Sequence, residues 1–142
     1  MRVELNYDPL PSQKYLHKSS AIFKAYFGGF GSGKSKWLIY EALFESMETP
    51  NNRGLIIRRT QPELKGTIYR DFMEEIPDKM FEDENKTELI YTLPNKSTIQ
   101  FISFDSLSKI ASYNLGWFAI DQAEEFPEDY FWALLTRIRK AG

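Results

Sequence analysis

The run Gly28-Gly29-Phe30-Gly31-Ser32-Gly33-Lys34-Ser35 places four glycines within six positions and closes on Lys-Ser. From Gly28 to Ser35 it fits G-x-x-x-x-G-K-[ST], the pattern of a loop that holds phosphate. Glycines let the backbone turn tightly and bring successive N–H groups toward phosphate oxygens, and the following helix adds the positive end of its dipole. Lys34 then reaches the terminal phosphates and Ser35 can ligate Mg²⁺. The flanks suit this reading. Residues 21–27, AIFKAYF, form an apolar, aromatic run fit for a buried strand, and residues 36–48 place Leu38, Ala42 and Met47 near one helical face. A flexible Gly-Ser linker is the structural alternative, but linkers rarely put Gly-Lys-Ser at this offset between a strand and an amphipathic helix. Gly28, Gly29, Gly31, Ser32, Gly33, Lys34 and Ser35 are therefore the expected nucleotide-phosphate set.

A chain of 142 residues is the size of one domain and long enough to bury a core. Its 42% hydrophobic and 15% aromatic content argue against disorder. A net charge of -2 demands no nucleic acid, so any such contact is a local basic patch. Without cysteine there is neither a disulfide framework nor a cysteine-based zinc site. The first twenty residues lack the apolar core of a signal peptide, and no run is long enough to span a bilayer, which points to the cytoplasm and away from a membrane. No internal repeat or low-complexity tract is present.

Beyond the first helix, residues 54–57 form a short apolar strand ending on Arg58 and Arg59. Residues 62–76 read as one helix, with Pro62 near its start and Pro77 after its end. TELIYTLPNKSTIQFISF reads as a hairpin turning through Pro94-Asn95-Lys96, with Ile99 and Phe101 on one face and Gln100 and Ser103 on the other. LGWFAID supplies another buried strand, and a last helix runs from Glu128 to about Lys140. Strand and helix alternating around a glycine loop mean an α/β sheet.

The partner of a phosphate loop is an acidic residue at the carboxyl end of a hydrophobic strand, where it holds the Mg²⁺ water shell. Asp121, after residues 117–120, fills that place. In many ATPases the next residue is a glutamate that orients and deprotonates the attacking water, but here it is Gln122. Glu124 and Glu125 follow within one turn. Gln122 can orient water without basicity, whereas either glutamate is a true base; Glu124 ranks above Glu125. The alternative makes both glutamates first-turn acids favoured by a helix dipole.

These motifs in this order, LPSQKYLHKS, GGFGSGKS, LIIRRT and NKSTIQFISFD running into SLSKIASYNLGWFAIDQAEEFPED, resemble the ATPase part of tailed-phage terminase large subunits, the motors that package double-stranded DNA. The resemblance extends over about residues 10–139. The phosphate loop is generic; the hairpin and the stretch leading into the acidic motif are the more specific part. The resemblance implies a P-loop NTPase fold of the additional-strand, glutamate-using class: a mainly parallel sheet flanked by helices, with an inserted β-hairpin. It implies ATP and Mg²⁺ as cofactors, double-stranded DNA, a terminase small subunit and a portal as partners, and action in the cytoplasm of a bacterial host. Gln13 matches the family's upstream glutamine that reads adenine through its amide; an ordinary solvated glutamine is the alternative.

Three departures stand out. Many terminases carry an arginine at the position of Phe30, which cannot stabilise a transferring phosphate; Arg58, Arg59 or a neighbouring subunit must supply that charge. Gln122 replaces the usual glutamate. Finally, terminase large subunits continue into a further strand and a nuclease domain, so residues 1–142 are expected to form the N-terminal part of an ATPase domain, with no nuclease residue assigned. In the glutamate-using ATPases that further strand lies between the acidic-motif strand and the phosphate-loop strand. An isolated chain lacking it is expected to be a poor ATPase prone to self-association.

Arg58 or Arg59 is read as a nucleotide sensor or phosphate clamp, while Lys65 and Arg70 read as solvated charges among acidic neighbours. Arg137, Arg139 and Lys140 fall in the expected last helical turn, where cations suit the dipole. His17, the sole histidine, makes no metal site. Tyr26, Phe27, Trp37, Trp117 and Phe118 sit at core spacing and read as packing. Three functions remain open: an ATP-driven DNA translocase, a helicase-like P-loop ATPase, and a nucleotide-binding assembly module with little turnover of its own.

Overall fold

The computed structural model describes residues 5, 7–20, 23–25, 33–105, 108 and 114–138. Helix α1 (Pro11–Lys18) precedes α2 (Lys34–Glu48), strand β1 (Arg53–Arg58) and helices α3 (Gln61–Gly66) and α4 (Ile68–Glu75). Strands β2 (Asp83–Asn85), β3 (Ile90–Thr92), β4 (Thr98–Ser103) and β5 (Trp117–Ile120) follow, and α5 (Glu128–Leu135) comes last. Among the described residues these strands form one sheet in the order β2-β3-β4-β1-β5.

The sheet is mixed rather than mainly parallel. β1 pairs in parallel with β4 on one side and β5 on the other, while β3 runs antiparallel to both of its neighbours, β2 and β4. The expected hairpin is present, but its second strand lies directly against β1, so the hairpin extends the main sheet. β2 was not legible beforehand: Asp-Glu-Asn has little strand propensity and is held by its pairing to β3.

β1 shows why a short apolar run belongs mid-sheet. Leu55, Ile56 and Ile57 are fully buried. Alternation sends Ile56 to a large cluster with Ile39, Tyr40, Leu43, Leu64, Phe72, Tyr91 and Phe101, and sends Leu55 and Ile57 to a smaller one with Ile102, Leu115 and Leu134. The two central parallel pairings require glycine at one close approach. A Cβ on Gly54 would fall 1.8 Å from the Trp117 ring, which lies across β1. Trp37, Trp117 and Phe118 do pack against the cores, whereas Tyr26 and Phe27 lie outside the described residues.

Several expectations are corrected. Residues 23–25 adopt no strand, and the rest of the expected strand 21–27 lies outside the described residues. In α2 the buried face is Trp37, Ile39, Tyr40, Ala42, Leu43 and Ser46, and Met47 is exposed. The single helix expected over residues 62–76 breaks at Thr67, whose backbone (φ -128, ψ -99) leaves the helical region. Gly66 weakens the helix there, and the Thr67 hydroxyl donates to the Glu63 carbonyl at 2.6 Å, a local bond that competes with helix continuation. In β4, Ser103 shares a face with Ile99 and Phe101 because residues two apart point the same way; Gln100 faces oppositely with Ile102. Helix α5 stops at Leu135, short of Lys140, and Ile138 makes a parallel bridge to Leu115 just ahead of β5. Arg137 therefore follows the helix rather than ending it; Arg139 and Lys140 lie outside the described residues.

The amino-terminal segment is tied onto α2. Tyr7 stacks on Tyr40 with ring centroids 3.8 Å apart. His17 bonds the Tyr7 hydroxyl at 2.6 Å and Glu41 at 2.5 Å, and Lys24 donates to the other Glu41 oxygen at 2.6 Å. His17 is thus a satisfied packing residue. No helix among the described residues is long and apolar enough to cross a membrane.

Candidate nucleotide site

Helix α2 begins at Lys34, and Gly33 is its N-cap with φ 82, ψ 14, a left-handed conformation that glycine adopts without strain. Among the described residues no side chain caps this end, and its first turn carries no acidic residue, so none of them neutralises the positive dipole end. Lys34 and Ser35 are both half-buried in that first turn. Gly28, Gly29, Phe30, Gly31 and Ser32 lie outside the described residues.

Gln13 is buried and anchors the same corner. Its side-chain oxygen accepts from the Leu10 N–H at 2.8 Å, and its amide nitrogen donates to the Gly33 carbonyl at 2.8 Å. A Cβ on Gly33 would meet that nitrogen at 2.6 Å, so both the left-handed backbone and the glutamine demand glycine here. Gln13 is not a solvated glutamine: it locks α1 to the last residue before α2.

Asp121 follows β5 directly. The pairing of Ile57 with Ile120 brings the next residues of both strands, Arg58 and Asp121, to the same level at the carboxyl edge of the sheet. The Asp121 N–H donates to the Ile57 carbonyl at 2.9 Å, continuing the ladder by one residue. Arg58 Nη1 donates to Asp121 Oδ2 at 2.7 Å, with both side chains largely shielded from water. The same Nη1 reaches Thr67 Oγ1 at 3.3 Å, and Arg58 Nε lies 3.5 Å from Glu63 Oε2. Helix α2 packs against β1 and β5, so the turn bearing Lys34 and Ser35 and the strand ends bearing Arg58 and Asp121 belong to one packed unit. Among the described residues Lys34 and Ser35 make no hydrogen bond or ion pair with Asp121, Glu124 or Glu125.

The three candidate water-handling residues separate clearly. Gln122 holds φ 59, ψ 57, a left-handed conformation uncommon outside glycine and frequent at functional sites. Glu124 is exposed, with no ion pair among the described residues. Glu125 is half-buried and lies 3.3 Å from Arg59 Nε. Arg59 also donates to Glu63 at 2.9 Å. The Arg59 hydrogen bond is the main reason the Glu63 carboxyl sits below its ordinary range, and the Glu63 hydrogen bond raises Arg59 in return.

Sequence reasoning missed Glu63 and Thr67 as parts of this cluster. A signal existed in Thr60-Gln61-Pro62-Glu63, the spacing of a helix start, and the Thr60 hydroxyl does accept from the Glu63 N–H at 3.3 Å. That cap fixes Glu63 between the two arginines. Lys65 and Arg70 stay exposed on α3 and α4, as expected of solvated charges.

The family described as phage terminase large subunit matches residues 20–142. This chain belongs to that family. Among solved structures, the terminase fold is shared with the large terminase ATPase domain of Thermus phage P74-26, at 20% sequence identity and a TM-score of 0.69. A mutant of the same domain matches at 21% identity with a TM-score of 0.69. Each match covers 96% of this chain and 66% of the solved one, so this terminase chain spans just under two thirds of the length of those domains. No curated protein sequence matches the chain.

Proposed function

We propose that this chain is the ATP-binding and ATP-hydrolysing part of a phage terminase large subunit, built on a P-loop NTPase fold and powering movement of double-stranded DNA into a capsid. One observation carries the reading: the start of α2, with Gly33, Lys34 and Ser35, is packed in one unit with the strand end that presents Asp121. Family membership supports DNA packaging as the setting; on this reading the partners are DNA, a terminase small subunit and a portal, in the cytoplasm of a bacterial host.

In this reading Gly28, Gly29, Gly31, Ser32 and Gly33 cradle the phosphates through backbone N–H groups, and Lys34 neutralises the terminal ones. Gln13 takes the adenine-reading place only if its amide, buried on Leu10 and Gly33, is turned toward the base when nucleotide binds. Glu124 handles the attacking water, since Glu125 is drawn toward Arg59 and Gln122 cannot accept a proton at neutral pH.

The residues fit Mg²⁺. Ser35 and Asp121 offer the hard oxygen donors that this ion takes. Among the described residues Asp121, Glu63 and Glu125 set three carboxylates against the two guanidiniums of Arg58 and Arg59, one positive charge short of balance. Arg58 engages only Oδ2 of Asp121. Ser35 and Asp121 would hold the ion, whose chemistry when bound is neutralisation of phosphate charge. A nucleotide-binding module with little turnover is the second reading, favoured by Gln122 in place of a glutamate.

Binding of a fluorescent ATP analogue and phosphate release by the full-length protein test this. Lys34→Ala should abolish binding or turnover, because the ammonium is the mobile charge on the terminal phosphates. Asp121→Asn should spare binding more than hydrolysis. A Lys34→Ala protein that binds and hydrolyses ATP like wild type would sink the phosphate-site reading. Wild-type protein that binds ATP without turnover, with or without DNA, would favour the module.

A further inference from the structure

The cation-deficient cluster at the carboxyl edge leaves Arg58 in an unfinished position. Its Nη1 bonds Asp121 at 2.7 Å, yet its buried Nε has no hydrogen bond and faces Glu63 only at 3.5 Å. A guanidinium donates best as a fork, with parallel bonds to one carboxylate. Arg58 instead straddles two carboxylates and satisfies one. Glu63, by contrast, is already fixed, by the Thr60 cap and by Arg59 at 2.9 Å. A second seat for the Arg58 guanidinium is therefore built and in place beside the first.

We propose that Arg58 is the stand-in cation of Asp121 in the nucleotide-free protein, and that Mg²⁺ arriving with nucleotide displaces it toward Glu63. The inference rests on the Mg²⁺-nucleotide reading above and adds a regulatory role for Arg58 within it. Asp121 is buried, and a buried carboxylate left without a partner is costly. Arg58 removes that cost while the site is empty, and in doing so it competes with the metal. When the ion takes the Asp121 charge, Arg58 shifts by one side-chain rotation, its Nε gains the hydrogen bond it lacks, and Glu63 becomes its main counter-ion. The position of Arg58 then reports whether the cation is bound. Through Nη1 and Thr67 Oγ1 it can pass that report to the break between α3 and α4. Arg58 is a positioning residue here and does not act as a phosphate clamp in the empty state.

The test is a Mg²⁺ titration of fluorescent ADP binding, with the melting temperature followed in parallel with and without Mg²⁺ and ADP. Arg58→Gln should lower the Mg²⁺ midpoint by about threefold or more, the scale of losing one partly shielded competing ion pair. It should also melt lower than wild type without Mg²⁺ and recover more on adding Mg²⁺ and ADP. Lys65→Gln, which removes a nearby exposed charge, should leave the midpoint where it is. If Arg58→Gln does not fold, Arg58→Lys keeps the charge but not the fork and should shift the midpoint down by less. An unchanged or raised midpoint in the folded Arg58 variant, or an equal shift in Lys65→Gln, would overturn the proposal while leaving the nucleotide site intact. Wild-type protein that binds no ADP at any Mg²⁺ concentration would overturn both.

Discussion

The middle of β1 and the residues at its carboxyl end obey different physical rules within five residues. Leu55, Ile56 and Ile57 have no exposure and are held by close packing on both faces, whereas Arg58 and Arg59 are held by carboxylates from α3 and from the segment after β5. Packing of the first kind tolerates little change in volume. The charge cluster of the second kind is satisfied only in part, with Arg58 Nε and Glu125 Oε2 buried and lacking hydrogen bonds. One half of the strand supplies rigidity; the other supplies groups that can exchange partners when a ligand arrives. The same division runs through α2, whose buried middle packs on the sheet while its first turn carries no acidic residue to neutralise its dipole end.

The largest effect that would break this contrast lies in the packed half. Phe72→Ala should cost about 3–5 kcal/mol of stability in a denaturant titration, the range for deleting a buried aromatic ring. Phe72 is fully buried with its ring centroid 5.0 Å from Phe101 and 5.6 Å from Phe81, so the hole cannot close easily. Nucleotide affinity of the protein that remains folded should change little. A cost under 1 kcal/mol would mean that this half is looser than the contrast requires.

An intermediate effect falls on the charged half. Glu124→Gln should lower ATP turnover of the full-length protein by roughly 10²-fold, the usual worth of a general base, with nucleotide affinity nearly unchanged. Glu125→Gln should lower it less, because Glu125 is committed to Arg59. Normal turnover in the Glu124 variant beside a dead Glu125 variant would reverse the assignment.

The smallest effect sharpens the boundary. Burial raises the Glu45 carboxyl above 4.5, with Glu41 and Glu48 adding repulsion. A carboxyl raised in the folded state favours folding fully below its unfolded value, and that contribution is lost as pH rises through the folded value. Glu45→Gln should therefore stabilise the protein at pH 7 by less than about 0.5 kcal/mol, since solvent screens much of the effect. The gain should vanish below pH 4.5. A pH-independent difference between the two proteins would count against burial as the cause.

What could be read in the sequence was what lies close along the chain. The helix after the glycine loop, the apolar run of β1, the turn at Pro94-Asn95-Lys96 and the acid ending β5 each carry their own local pattern. Arg58 and Asp121 were both candidates, but their contact depends on the register of two strands whose residues lie far apart in sequence, and no local period encodes it. Thr67 looked like an ordinary helical threonine until its hydroxyl was seen to bond back to Glu63. The extent of α5 was overestimated because Leu134 and Ile138 keep a helical spacing, although Ile138 pairs with Leu115 instead. The amide of Gln13 was expected to read adenine, and its bond to Gly33 depends on how α1 docks beside α2.

Amide hydrogen exchange with and without ADP and Mg²⁺ tests most directly whether the carboxyl edge, and not the packed body, is where ligand acts. Protection should appear in the first turn of α2 from Gly33 to Trp37 and around Asp121 and Gln122, while β3, β4 and α4 exchange as before. Protection centred on the β2-β3-β4 hairpin with none at Lys34 or Asp121 would contradict the account.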